Sequence, residues 1–396
     1  MRKAIVFLCA WISMLTIGLS SGCAMVQPTT SEIVSSEKEN SKKKNSRNST
    51  DEEEETLMIT SPKGEIYPYV DEVKEYLQAG AGADVGDYAS GVSVAQSSVK
   101  LTWECDSERV TQYVVEYATK ADYSDAIIQT VSKKKKTVLL YNLYKATKYY
   151  VRVTAYEDEE AILEEESTFT TTALGPRFMS IDGIYNVRDL GGYETSFDRR
   201  TMQGLLYRGG ALLPADVYDC NLTDEGKAYM SEVLGIKTEI DFRTPAEAGN
   251  YGGSPIPNAE LKYVTLGGYA DAFRQSGYKE VFSMLADVNN YPIYMHCTGG
   301  ADRTGTVSFL LNALLGVSET ELIQDYELTS FSVYGQRNTQ RGDYSKYFQE
   351  FLERLNAYMG DTLQEKTENY MLTIGVTAEE ISSIKAIMFG EISVTK

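Results

Sequence analysis

Cys297 and Arg303 are separated by five residues in Cys297-Thr298-Gly299-Gly300-Ala301-Asp302-Arg303, and the only histidine of the chain, His296, directly precedes the cysteine. A strand-to-helix turn of this length can point successive backbone N–H groups inward and make a concave nest for an anion. The N-terminus of a following helix adds partial positive charge aimed the same way. Gly299 and Gly300 remove Cβ atoms where a ligand would approach the backbone, and Arg303 offers a planar fork for two oxygens of one anion. A thiolate is the favoured form of Cys297 in such a cup. It could attack phosphorus and leave a cysteinyl-phosphate for water to hydrolyse, with the Thr304 hydroxyl donating to the sulfur as it departs. The chemistry implied is phosphomonoester hydrolysis without a metal.

The flanking residues supply the elements this loop needs. Ile293-Tyr294-Met295, after Pro292, reads as a buried strand, and Thr304 to Leu315 as an apolar helix. Before them come a strand at Leu205–Tyr207, a helix capped by Thr223 and ending near Leu234-Gly235, and a strand over Lys237–Phe242. A strand at Leu261–Thr265 and a helix over Tyr278–Val288 follow. Ser318 to Glu321 and Thr377 to Glu380 read as capping boxes of later helices. Strands alternating with helices predict an α/β sheet flanked by helices, with its ligand site at the carboxyl ends of the strands, where Cys297 falls.

HCTGGADRTG resembles the phosphate loop of the cysteine-dependent protein-tyrosine phosphatases. It is similar more narrowly to a bacterial family acting on phosphotyrosine, sometimes phosphoserine or phosphothreonine, and phosphoinositides. NVRDLGGY (Asn186–Tyr193), LLYRGGAL (Leu205–Leu212) and IDFRTPAE (Ile240–Glu247) extend the resemblance over residues 175–396. It implies a protein-tyrosine-phosphatase-like sheet in which Thr298, Gly299, Gly300, Ala301 and Arg303 bind the substrate phosphate and His296 orients the loop. Asp302 is the candidate general acid, with Asp271 and Asp241 as runners-up; Asp241 also reads as a buttress paired with Arg243. Arg188 and Asp189 are expected to pair with each other or with the loop, and Arg208 to be either a second phosphate contact or a structural ion pair. Members with HCxxGKDRTG carry a rim lysine where this chain has Ala301, which shifts the expectation toward singly phosphorylated substrates unless Arg208 or Lys279 replaces the charge. The partners implied are a phosphorylated protein or a phosphoinositide; no cofactor and no metal are expected, because one histidine cannot easily build a metal cluster or a Ser-His-Asp triad.

Composition bounds the remainder. Asp+Glu 57 against Lys+Arg 38 gives a net charge of −19, which argues against nucleic acid or an anionic membrane surface as main partner. Residues 1–23 read as a lipoprotein-type export signal ending at Cys23, the expected lipidation site, so an exported, membrane-anchored protein is expected. Residues 24–56 read as a disordered polar tether, spanning roughly 30 Å on average. Residues 57–90 read as a short helix from Asp71, ended by Gly80, and loop. Over residues 91–174 the apolar period becomes two (Val99, Leu101, Trp103; Tyr113, Val115, Tyr117), predicting an all-β sandwich. LTWE and LYKATKYYVRVTAY resemble a fibronectin type III module, with Tyr149 as its corner tyrosine, and the module reads as a spacer or adhesion unit. Of the cysteines outside the signal, Cys105 and Cys220 fall in different expected domains, so no disulfide framework is predicted.

Overall fold

The computed structural model describes residues 54–90, 98–214, 220–249 and 251–395. The export signal, Cys23 and the tether up to residue 53 lie outside them. Glu55 and Thr56, expected as the end of the tether, are instead fixed to the sandwich. Glu55 pairs with Arg109 at 2.6 Å, and the Thr56 hydroxyl donates to Asp106 at 2.7 Å.

The sandwich consists of β1 (Leu57–Ser61), β2 (Gly64–Ile66), β3 (Val99–Cys105), β4 (Gln112–Ala118), β5 (Ile127–Ser132), β6 (Thr137–Leu140), β7 (Lys148–Glu157) and β8 (Glu160–Thr171). They form one sheet in the order β1-β3-β6 and another in the order β2-β8-β7-β4-β5. The period-two residues Val99, Leu101, Trp103, Tyr113, Val115, Val151 and Val153 all turn into the space between the sheets, as alternating side chains on two facing sheets must. Tyr149 closes a tyrosine corner, its hydroxyl accepting the Tyr144 N–H at 2.7 Å. The expected helix-and-loop region 57–90 begins differently. Its first ten residues are β1, antiparallel to β3, and β2, parallel to β8. Leu57 and Ile59 fill the same core as Leu101 and Trp103, so tertiary burial makes strands of runs too short to announce themselves.

Between β2 and β3 the chain leaves the sandwich. Helix α1 (Asp71–Ala79) ends at Gly80 in the left-handed region. It packs Val73, Tyr76 and Leu77 against Leu328 and Phe331 of the second domain.

That domain is built on a sheet in the order β13-β12-β14-β11-β10-β9. Its strands are β9 (Arg177–Phe178), β10 (Arg188–Asp189), β11 (Leu206–Gly209), β12 (Thr238–Asp241), β13 (Glu260–Tyr263) and β14 (Ile293–His296). The four strands β13, β12, β14 and β11 run parallel, β10 is antiparallel to β11, and β9 is antiparallel to β10. Helices α2 (Asp224–Ala228), α3 (Gly277–Leu285), α4 (Arg303–Leu314), α5 (Glu319–Glu327), α6 (Asp343–Asn356), α7 (Leu363–Thr373) and α8 (Ala378–Met388) surround it. Thr223 caps α2 and Thr377 closes a capping box on α8, as expected. Ser318 caps α5 by accepting the Glu321 N–H, while its hydroxyl donates to the Glu321 carboxylate. Ile293 and Met295 face one core with α3, α4 and α8, and Tyr294 faces the other with Leu222, Met230 and Leu234. Helix α4 is buried from Thr304 through Leu314, which is why its sequence is apolar around its whole circumference.

The sandwich is not a detached spacer. Its loop before β7 plugs into the second domain, where the Asn142 carbonyl accepts from Arg177 Nη2 at 2.6 Å and the Asn142 side chain takes the Ser180 N–H at 2.6 Å. Lys145 is buried; its N–H donates to Gln203 at 2.9 Å, its ammonium donates to the Gly175 carbonyl, and it lies 4.3 Å from the centre of the Tyr193 ring. Burial pulls the Lys145 ammonium from its ordinary 10.5 down to about 7. Between those two values the unfolded chain holds this proton more tightly than the folded one, so folding stability attributable to Lys145 is gained as pH rises through the window and lost as it falls. The stability difference between wild type and Lys145→Met, followed by denaturant titration from pH 7 to pH 10, is therefore expected to move in favour of wild type by at most about 1.4 kcal/mol per pH unit. A difference independent of pH would show that Lys145 carries no such burden.

Candidate functional site

Strand β14 lies between β12 and β11, with His296 level with Asp241 on one side and Gly209 on the other. Cys297 follows at the carboxyl end of the strand, 3% exposed, and the loop to Arg303 leads directly into α4. The backbone carbonyls of this loop are all held from outside. The Thr298 carbonyl accepts the Ala211 N–H at 2.9 Å. The Gly299 carbonyl accepts from Asn186 Nδ2 at 2.9 Å. Arg208 Nη2 donates to the Gly300 carbonyl at 2.5 Å and to that of Ala301 at 3.4 Å. A peptide plane whose carbonyl is fixed outward turns its N–H the other way. Among the described residues no protein acceptor takes the N–H groups of Thr298 to Asp302, which is what an anion nest requires.

The glycines serve this packing more than a ligand's approach. Gly300 has φ +64°, and a Cβ on it would lie 2.1 Å from the Gly209 carbonyl oxygen. A Cβ on Gly299 would meet the Tyr334 ring at 2.9 Å. Ala301, expected at the rim, is 1% exposed. Position 301 is therefore enclosed by protein.

The arginines behind the loop have partners that sequence reasoning did not name. Arg188 and Asp189 pair neither with each other nor with the loop. Arg188 Nε donates to Asp325 at 2.9 Å and its Nη1 to Asn186, while Asp189 pairs with Arg177 at 3.0 Å and caps the Gly191 and Gly204 N–H groups. Alternation explains it: neighbouring residues of β10 point to opposite faces of the sheet. Arg208 is wholly buried and shares Asp325 at 2.5 Å, so it is the structural ion pair of the two expectations. Burial alone would push the Asp325 carboxyl up, but Arg208 and Arg188 outweigh it and hold it below the usual range. Burial pulls the Arg188 guanidinium down to about 10. Removing one partner of so buried a group costs about 3–5 kcal/mol.

A second brace lies beneath the cysteine. His296 Nδ1 sits 3.2 Å from the Cys297 carbonyl and Nε2 2.9 Å from Glu239. Burial works against its charged form, but Asp241 and Glu239 prevail and raise its pKa. Ligand atoms of Glu239, Asp241 and His296 lie within 4.8 Å of one another, a metal-like grouping that one histidine was not expected to build. Asp241 is committed to Arg243 at 2.8 Å, and Glu239 Oε1 accepts the Tyr251 hydroxyl at 2.9 Å, while Glu239 Oε2 is buried without a partner among the described residues. The expected Asp241–Arg243 pair is thus present, and it belongs to this buried network.

At the mouth, Arg303 Nη1 lies 3.1 Å from Glu247 and Nη2 donates to the Thr298 hydroxyl at 3.4 Å. Glu247, the last residue of IDFRTPAE, is anchored by the Thr244 N–H at 2.8 Å. The Thr304 hydroxyl is buried with no hydrogen-bond partner among the described residues. Asp302 is forked by Arg337, Nε to Oδ1 at 2.7 Å and Nη2 to Oδ2 at 3.0 Å, and accepts the Tyr269 hydroxyl. Asp271 lies on the turn Gly267–Phe273, where a Cβ on Gly268 would meet the Arg303 nitrogen at 3.3 Å. Lys279 points to Glu380 on α8 at 3.7 Å. Among the described residues no disulfide joins Cys105, Cys220 and Cys297, and the Cys220 thiol donates to the Leu213 carbonyl at 3.3 Å.

Comparison with known proteins agrees with this architecture. Residues 89–171 match the fibronectin type III domain. A Cupriavidus necator protein named provisionally as a tyrosine-protein phosphatase is 28% identical over 179 residues, 38% of this chain and 63% of that protein. A tyrosine-protein phosphatase of Nostoc commune is 27% identical over 133 residues, 28% of this chain and 44% of that one. The chain thus spans less than two thirds of the length of these curated relatives. The core catalytic domain of the PP-IP phosphatase SIW14 from S. cerevisiae, solved with citrate, aligns over 45% of this chain and 94% of its own at 17% identity and a TM-score of 0.29. Residues 179–390 match the tyrosine phosphatase family, and over that half of its length the chain belongs to it.

Proposed function

We propose that this chain is a metal-independent phosphomonoester hydrolase acting on phosphotyrosine. The observation that carries the reading is the row of loop carbonyls, Thr298 to Ala301, fixed outward around a buried cysteine. The inward amides and Arg303 receive three phosphoryl oxygens and the charge that grows on them in the transition state. The Cys297 thiolate attacks phosphorus as the ester P–O bond breaks, and the leaving oxygen takes a proton. Water then attacks the cysteinyl-phosphate, breaking the S–P bond and returning the thiolate. Thr304, with its buried unpartnered hydroxyl beside the loop, supplies a donor to the departing sulfur. Arg303 must leave Glu247 to close on the phosphate.

Asp302 is the proposed proton donor; both its oxygens lie in the Arg337 fork, which must open for it to carry a proton. Asp271 is the second reading, favoured because no hydrogen bond to its carboxylate exists among the described residues and its turn abuts Arg303. Among the described residues Arg303, once released from Glu247, is the guanidinium available to substrate at the mouth, and Glu247 and Asp302 stand beside it, so singly phosphorylated substrates are preferred over multiply phosphorylated inositides. Export and lipid attachment at Cys23 complete the proposal, on the signal-like residues 1–23.

Purified wild type is expected to hydrolyse p-nitrophenyl phosphate with vanadate inhibition and no loss to chelators. Cys297→Ser should lose on the order of a thousandfold or more in kcat while still binding oxyanions. Appreciable turnover by Cys297→Ser would sink the covalent mechanism. For the donor, kcat/KM on aryl and alkyl phosphates should be compared in Asp302→Asn and Asp271→Asn. The true donor is the position whose loss falls at least about tenfold harder on alkyl phosphates, whose leaving groups need the proton more. Equal losses on both substrates would acquit either residue.

A further inference from the structure

Arg337 belongs to none of the motifs, yet its side chain pairs with Asp302 of the loop. Its guanidinium forks Asp302 at 2.7 and 3.0 Å, donates from Nη1 to the Tyr334 and Gln336 carbonyls at 3.2 Å each, and stacks 3.9 Å from the centre of the Tyr344 ring. Its own backbone is fixed by Ser330, which accepts the Arg337 N–H at 2.8 Å and donates to the Arg337 carbonyl at 3.0 Å. Contacts from this many sides hold the guanidinium, and the carboxylate with it while the fork is closed.

What fixes the rest of this segment comes from the other domain. The excursion between β2 and β3 lies along residues 336–341. Asp84 accepts from Asn338 Nδ2 at 2.5 Å and pairs with Arg341 at 2.8 Å, and Asp87 pairs with Arg341 at 3.0 Å. Gln340 donates to the Ala83 carbonyl at 2.8 Å. Tyr76 of α1 and Thr339 meet on opposite oxygens of the buried Glu327. The C-terminal side of the Arg337 segment, at Asn338, Gln340 and Arg341, is therefore held by a segment that the sandwich inserts.

Asp302 occupies the last position before α4, beside the nest where an anion would sit. An unpaired carboxylate there would repel a phosphate dianion. We propose that Arg337 is a positioning residue that turns and neutralises Asp302 for anion binding, and that the Tyr76–Asp87 insert of the sandwich clamps it, making the insert a working part of the phosphate site. This rests on the reading of the loop as an oxyanion site.

The test measures tungstate binding by calorimetry on the full chain, which needs no turnover. Arg337→Met is expected to weaken binding on the order of tenfold at neutral pH, since it leaves Asp302 uncompensated next to the anion. Asp302→Asn in the same protein should restore affinity to within about threefold of wild type, and Asp84→Ala alone should weaken it in the same direction but add nothing in the Arg337→Met background. If the double variant stays as weak as Arg337→Met, Arg337 acts on the anion directly and the proposal is overturned. Unchanged affinity with only a lowered Tm would overturn it equally, as a purely structural role. Full additivity of Asp84→Ala would refute the clamp. Should Arg337→Met fail to fold, Arg337→Lys keeps the charge without the fork, and Asp302→Asn must then erase its smaller loss. Wild type that binds tungstate but turns over no phosphomonoester removes the hydrolase reading alone; wild type that binds none overturns both.

Discussion

A backbone that turns its N–H groups toward an anion must hand its carbonyls to something on the other side. In this chain that demand runs from Thr298 to Ala301, and it recruits partners from far along the sequence. Ala211 follows β11, Asn186 precedes β10, and Arg208 lies within β11. A buried carbonyl left without a donor would cost about 1–3 kcal/mol. Arg208 solves the problem for two carbonyls at once but creates another, a buried guanidinium. Asp325 answers that charge, and Arg188 balances Asp325 while its Nη1 fixes Asn186. One local backbone requirement thus fixes the order of three strands and the placement of α5.

This explains what the sequence could and could not reveal. The loop, its strand and its helix were legible because their signals are local: an apolar run, paired glycines, and a helix start. The sandwich core was legible for the same reason, through the alternation in β3, β4 and β7. Asp325, Arg337, Glu247 and Tyr269 were not, because each meets its partner across dozens of residues and no periodicity marks such a pairing. Arg188 and Asp189 show the limit from another side. Adjacent in sequence, they invite a mutual pair, whereas strand geometry sends them to different carboxylates and different faces. β1 and β2 were missed because a five-residue and a three-residue strand become strands only when the rest of their sheets is present.

The two family-matched regions are therefore less separable than their boundaries suggest. Chain entropy favours tight local modules, and an excursion from one domain that binds another must repay the ordering of its own backbone. Here the excursion repays it with apolar burial of Val73, Tyr76 and Leu77 and with the polar contacts of Asp84 and Asp87. The loop before β7 makes a separate attachment through Asn142 and Lys145. Two attachments at different points resist rotation as well as separation, which a spacer on a flexible link would not need.

The charges around the cup close the argument about what attracts an anion in a chain of net charge −19. Arg188 and Arg208 face Asp325, Arg243 faces Asp241, Arg337 faces Asp302, and Arg303 faces Glu247. Arg188 and Arg208 share one carboxylate, and His296 has Glu239. Side-chain charge is thus nearly balanced at every position, and little net field remains from it. The attraction left is that of oriented dipoles, the inward amides and the N-terminus of α4, which act strongly only where water is excluded and their direction is fixed. Dipoles lose their effect by rotating, whereas a point charge does not. Affinity here is consequently a matter of rigidity, and the buried ion pairs contribute by holding peptide planes still more than by their own fields.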